Sequence, residues 1–345
     1  MFDISFGSDN HSTVHPDVME ALNAVNHGFC FGYGDDPLTG EVKQELADLF
    51  GGDCEVFFVM TGTGANVISL QVLMQSFNAV LCARTSHINV DECGALQKFT
   101  QGRLLPIDTP DGKISPGLIE PALGGRGDQH HSQKRIVSIS QNTEYGTTYT
   151  LEELKDIADF VHDRGLLLHV DGARLANAAA FLDVSMRAMT KDIGADIISF
   201  GGTKNGLMFG EAIISFVPDL TSNIIYFRKQ ATQLYSKARY ISAQYKAYLS
   251  NDLWLSNARQ SNKMAALLAS ELSHFPQITI TQKVEANSVF LILPPEWIKV
   301  LQPKYQFYMW DEARFEARLM CSWSSQAEHI EAIIQDIRIL SGSPA

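Results

Sequence analysis

The sequence predicts an α/β protein: a mostly parallel sheet with helices on both faces, followed by a smaller α+β unit. Three observations carry that prediction. Apolar runs of strand length recur through the first two-thirds of the chain. Helical patterns separate them. The texture changes after Pro218, where long helical spacing replaces the alternation. Nearly continuous apolar runs are what strands covered on both faces require, and strand–helix–strand alternation makes them parallel.

Taken in order, Glu55–Val59 reads as the first strand, bounded by Gly51-Gly52 and a Gly/Thr turn. Residues Ala65 to Met74 favour a helix by length and alanine content. Ala79–Cys82, Arg135–Ser140, Leu166–Val170, Asp196–Phe200 and Glu211–Phe216 are further strands. Thr150-Leu-Glu-Glu153 is a capping box, with Leu154, Ile157, Ala158 and Val161 at helical spacing behind it. From about Asp219 to Ser273 the pattern predicts one or two long helices. Strands at Ser288–Leu293 and Arg318–Ser322 and a helix from Gln326 to Leu340 complete the chain. The expected domains are 1–245 and 246–345, with the N-terminal segment reaching the site of the first.

Composition narrows the function. At 345 residues, with 45% hydrophobic and 19% charged, the chain can bury a sizeable core and is not disordered. Its net charge of −12 argues against a nucleic-acid backbone binder. No apolar run approaches the roughly 18 residues that read as a membrane span, and Asp3 stands where a signal peptide would carry a cation. The five cysteines lack disulfide or zinc spacing and read as reduced thiols, so the expected location is the cytoplasm. No metal site is evident.

The chemistry begins with Asp171 and Lys204. Asp171 ends the apolar strand of Leu168-His-Val-Asp-Gly-Ala-Arg174, at the sheet edge where open α/β folds bind ligands. Lys204 sits in the glycine-rich turn Ser199-Phe-Gly-Gly-Thr-Lys-Asn-Gly206. Alone, each is an ordinary polar strand end or a surface lysine. Together they suit pyridoxal phosphate (PLP) catalysis: the amine forms the Schiff base, and the acid keeps the pyridine nitrogen protonated. Met60-Thr-Gly-Thr-Gly-Ala-Asn66 follows a strand and opens a helix, where amides and the dipole suit an anion. His87, just past the strand Ala79–Cys82, can stack on a planar ring or move a proton near neutral pH.

With those residues in view, the chain resembles the low-specificity L-threonine aldolases, in the β-eliminating lyase group of fold-type-I PLP enzymes. The ordered matches are Gly7-Ser-Asp-Asn10, Tyr33-Gly-Asp-Asp-Pro37, Thr61–Asn66, His87, His169–Arg174, Phe200–Gly206 and Arg318. The resemblance implies PLP on Lys204, Asp171 on the pyridine nitrogen and Arg174 near the phenolate oxygen. It implies His87 stacked on the ring and Gly62 and Thr63 on the phosphate. Ser8 and Arg318 would bind the substrate carboxylate, Tyr33 would line the site, and His130 (or its neighbour His131) would lie near the substrate hydroxyl. Lys237 would reach the phosphate of a neighbouring subunit. The implied reaction is reversible cleavage of L-threonine, L-allo-threonine and related β-hydroxy-α-amino acids to glycine and an aldehyde. The base is left among His87, His130 and an ordered water. Partners would be the amino acid and further copies in a homotetramer, a dimer of dimers with sites at a dimer interface. The alternatives are another fold-type-I PLP lyase (β-elimination, or an aldolase preferring phenylserine) and a non-catalytic PLP-binding protein.

Overall fold

The computed structural model describes residues 3–342; residues 1–2 and 343–345, at the outer ends of the two expected domains, lie outside that description. Seven strands form the large sheet: β1 Glu55–Val59, β2 Asn78–Ala83, β3 Arg103–Ile107, β4 Gln133–Ser140, β5 Leu167–Gly172, β6 Ile197–Gly201 and β7 Glu211–Ser215. Their order is β1-β7-β6-β5-β4-β2-β3. Only β7 runs antiparallel to its neighbours, β1 and β6.

The apolar runs are continuous because both sheet faces are covered. In β6, Ile198 and Phe200 enter one core while Ile197 enters the other; in β7, Ala212 and Ile214 oppose Ile213 in the same way. Alternate residues of a strand point to opposite faces, so neither set could be polar. The helix Leu151–His162 has its capping box in place and buries Leu154, Ile157, Ala158 and Val161.

β3 was not anticipated. It is an edge strand of Arg-Leu-Leu-Pro-Ile, and an edge tolerates Pro106 because no outer neighbour needs its missing N–H. The long helical stretch is also shorter-jointed than expected. It comprises the helices Pro218–Thr221, Ile224–Gln230, Arg239–Leu249 and Leu253–Leu272. Thr232, Asn251 and Asp252 take positive φ between them, which ends helical propagation.

The second sheet is antiparallel throughout, in the order β10 Tyr308–Asp311, β11 Glu316–Met320, β9 Ser288–Ile292 and β8 Thr279–Ile280. The helix Ala327–Ser341 packs Ile330, Ile333, Ile334 and Ile337 into its core. Phe6 joins that core from the N-terminus: its amide donates to the Tyr305 carbonyl and its carbonyl accepts from Met320. The segment that follows, Gly7–Asn10, is thereby carried to the large sheet's edge. The helix Leu253–Leu272 gives Leu253, Trp254 and Ala258 to the large core and Met264, Leu268 and Leu272 to the small one. We propose that the two units divide in this neighbourhood, between the helix Arg239–Leu249 and the far end of Leu253–Leu272.

Candidate active site

A cavity of about 390 Å³ opens at the carboxyl edge of the parallel strands. Asn10, Gly62, Thr63, His87, Asp171, Lys204 and Glu211 are among its walls. The volume lies in the range of small-molecule sites.

Local backbone chemistry delivers each group. At the end of β5, Asp171 is buried, and its Oδ1 accepts from the Ala173 amide at 3.0 Å. The end of β6 presses against this turn. A Cβ on Gly201 would lie 2.4 Å from the Ala173 carbonyl oxygen, so only glycine permits the approach. The next turn, Thr203–Asn205, carries Lys204. Asn205 Nδ2 pins it to the Tyr248 hydroxyl at 2.7 Å and the Trp254 carbonyl at 2.8 Å. Gly206 leaves the turn at φ 111°, where a side chain would be strained.

The loop after β1 forms another wall. Thr61 caps the helix Gly62–Gln71, its hydroxyl accepting from Gly64 N at 3.0 Å. The amides of Gly62 and Thr63 have no acceptor among the described residues, as expected of an uncovered helix start. Gln233 reaches across and accepts from Met60 N at 2.9 Å.

Around Asp171 runs a buried polar chain. Asn66 Nδ2 donates to Asp171 Oδ2 at 2.8 Å and to Glu92 Oε1 at 2.9 Å. The same Glu92 oxygen lies 2.7 Å from His87 Nδ1. The Glu92 hydrogen bond raises the His87 pKa; burial opposes it, and Glu144 and Asp171 assist. Glu211 is buried at the start of β7 and accepts from Gly202 N at 2.6 Å. Burial pushes its pKa up to about 7, against the pull of its hydrogen bonds and of Lys204.

The N-terminal segment and the small sheet close the far side. Arg174 forms a buried two-toothed ion pair with Asp9, at 2.6 and 3.2 Å. Burial alone would raise Asp9, but the charges of Arg174 and Lys204 hold it below the usual range. Arg318 stands over the Trp310 ring at 5.5 Å. Its Nε is buried without a partner among the described residues, while its Nη2 donates to the Gly7 carbonyl at 3.5 Å. Burial lowers its pKa, with Arg174 adding to the effect. Ser8 caps the short turn Asp9–His11.

Lys204, Asp171, His87, Gly62 and Thr63 thus share one cavity. Arg174, Ser8 and Arg318 stand beside it in a connected set. His130 does not join them. It is exposed and precedes β4, at the opposite edge of the sheet from Asp171, so within this chain it is not brought to the cavity. Its neighbour His131 shares that loop. Tyr33 and Lys237 are exposed and are not among the walls of this chain's own cavity. Sequence reasoning gave no role to Asn66, Glu92 or Glu211. Asn66 stands inside the glycine-rich motif and was the most findable; Glu92 acquires meaning only from Asn66 and His87 on two helices, and Glu211 only from the turn that carries Lys204.

The fold and cavity define an α/β protein with a lysine–carboxylate site at the carboxyl edge of its parallel strands. Residues 5–294 match the family described as Beta-eliminating lyase. The chain belongs to that family. It is 40% identical over 340 residues to the low specificity L-threonine aldolase of Pseudomonas aeruginosa, covering 98% of each chain. The Saccharomyces cerevisiae protein of the same name is 29% identical over 293 residues, 83% of this chain and 73% of that one. A solved threonine aldolase from Leishmania major superposes with a TM-score of 0.93 at 28% identity, covering 98% and 99% of the two chains.

Proposed function

We propose that this chain is a PLP-dependent aldolase that cleaves L-threonine, L-allo-threonine and related β-hydroxy-α-amino acids to glycine and an aldehyde. One observation carries the reading: Lys204, Asp171 and the free amides of Gly62 and Thr63 open onto the same cavity. The donor set fits the cofactor. An amine can hold it covalently, a carboxylate fixed by Asn66 can face its ring nitrogen, and a helix start can take its phosphate. When bound, PLP supplies an electron sink for the pair released as the Cα–Cβ bond breaks.

The protein's part is to bind and orient. Lys204 would hold the cofactor through its amine. Asp171 would face the ring nitrogen and favour its protonated form. Arg174, held by Asp9, would stand on the side of the ring oxygen. Arg318 and Ser8 hold the substrate carboxylate, and that clamp decides which bond stands aligned for cleavage. The unpartnered Nε of Arg318 supports this use, because a buried donor seeks an acceptor. His87, the one expected histidine on the cavity wall, takes the β-hydroxyl proton. Among the described residues no helix is long and apolar enough to cross a membrane. We place the enzyme in the cytoplasm, as a homotetramer.

The test is product analysis with L-allo-threonine and added PLP. Equal glycine and acetaldehyde are expected. Pyruvate and ammonia instead would mean β-elimination, and no product despite bound PLP would defeat the aldolase reading. Lys204→Ala should bind PLP without the covalent absorbance signature and lose turnover. Persistence of that signature would remove Lys204 from the role.

A further inference from the structure

We propose that Glu92 is a positioning residue for His87: its buried carboxylate fixes the proton on Nδ1, so that Nε2 is the ring nitrogen left for the cavity. The inference deepens the aldolase reading and rests on it only for its kinetic consequence.

The geometry is specific. Glu92 is 4% exposed, and its Oε1 receives two contacts: His87 Nδ1 at 2.7 Å and Asn66 Nδ2 at 2.9 Å. An oxygen that accepts from Asn66 Nδ2 accepts from the imidazole as well, so the proton between it and the ring sits on Nδ1. The orientation of the Asn66 amide is fixed by the same logic. Its nitrogen lies between two carboxylates, those of Glu92 and Asp171, and a flipped amide would set its oxygen against both. Each Nδ2 hydrogen therefore has its own acceptor, and the spacing of Glu92 from Asp171 is set by one side chain. Nε2 of His87 has no hydrogen-bond partner among the described residues, and His87 lines the cavity.

A carboxylate behind the distal ring nitrogen does two things. It selects the tautomer whose other nitrogen has a free lone pair, and it stabilises the protonated ring once that lone pair has taken a proton. Glu144, Asp171 and Lys204 also face His87 electrostatically. The first two favour the imidazolium and Lys204 opposes it. Glu92 is the only one of the four in hydrogen-bond contact with the ring.

The experiment follows the imidazole by ¹⁵N NMR in the full chain, without cofactor and with PLP bound. Subtracting the spectrum of His87→Asn assigns the signal among the ten histidines. In the wild type, the neutral form should carry its proton on Nδ1. Glu92→Gln keeps the size and an acceptor but removes the charge, so the His87 midpoint should move down. Glu92→Asp keeps the charge at shorter reach and should fall between the two. If the Gln variant folds poorly, the Asp variant and the wild-type tautomer still decide the matter. An Nε2–H neutral form in the wild type, or an unmoved midpoint in Glu92→Gln, overturns the proposal.

With PLP bound, the acid limb of the kcat/KM profile should move down with the midpoint, and the plateau should fall roughly tenfold. A uniform loss with an unmoved limb would indicate a merely structural role and would also overturn it. Moved midpoints in a protein that releases no glycine would defeat the aldolase reading and leave the Glu92 assignment standing.

Discussion

At the scale of single residues, the cavity is built from charges that its surroundings resist. Glu211 is the clearest case. Burial raises its carboxyl to about 7, and Gly202 N and Lys204 only partly offset that. A folded-state pKa above the unfolded value means that the folded chain binds the proton more tightly. The stabilisation is complete below the unfolded value of 4.5 and is lost as pH rises through about 7. Glu211→Gln removes the titrating group and keeps an acceptor for Gly202. The variant should therefore gain on the wild type between about pH 5 and 8, by on the order of 3 kcal/mol. Thermal melting of both proteins across that range checks the sign; a constant difference would remove Glu211 as the source. Lys204 and Asp171 were legible in the sequence because each follows an apolar strand, and strand ends converge in an α/β sheet. Glu211 and Glu92 were not, because an acid in a sequence looks solvated until its neighbours bury it.

At the scale of elements, the same sheet holds a histidine that is not among the cavity walls. His169 in the middle of β5 is fully buried, with Nδ1 2.8 Å from Ser138 Oγ on β4 and Nε2 3.1 Å from Ser199 Oγ on β6. It is a polar rung across three strands. Burial lowers its pKa to about 4, and the Asp171 charge opposes that shift. The sign here is the reverse of that for Glu211. Stability is present above the unfolded pKa of about 6.5 and is lost as pH falls through about 4. The wild type should lose on the order of 3 kcal/mol over that interval from this group. His169→Gln should lower stability near pH 7 and flatten the slope between pH 6.5 and 4. Denaturant titrations at three or four pH values measure both; parallel slopes would assign the acid sensitivity elsewhere. The elements themselves were largely legible. Strands sealed on both faces leave an unmistakable run of apolar residues, and the Thr150 capping box marks its helix start by chemistry alone. β3 escaped notice because an edge strand needs neither a full apolar set nor every N–H. The breaks in the long helical stretch escaped because Thr232, Asn251 and Asp252 turn the chain without glycine or proline to announce it.

At the scale of the whole molecule, one surface is out of keeping with a monomer. Phe29 is fully exposed, Phe31 is 77% exposed and Tyr33 52%, on the segment between two helices. Tyr226 and Ile225 add exposed apolar area on the helix Ile224–Gln230, and Lys229 stands 5.1 Å over the Tyr33 ring. Exposed aromatic area of this extent is the mark of an interaction site. Burying the three aromatic side chains alone is worth on the order of 10 kcal/mol, the same order as the cost of association. A second copy is the proposed occupant, on the ground of how the segment is tied. The Tyr33 amide donates to the Ser236 carbonyl at 2.9 Å, so Tyr33 and Lys237 belong to one exposed surface, and neither is among the walls of this chain's own cavity. On the proposed reading, Lys237 serves another copy's site. Sedimentation velocity at micromolar concentration should therefore show no monomer. Phe29→Asp with Phe31→Asp should dissociate the assembly and weaken PLP retention together, since Lys237 would no longer reach a neighbour's phosphate. A wild-type monomer would refute the interface. A dissociated variant that keeps full PLP affinity would retain the interface but confine phosphate binding to Gly62, Thr63 and the rest of this chain's own cavity.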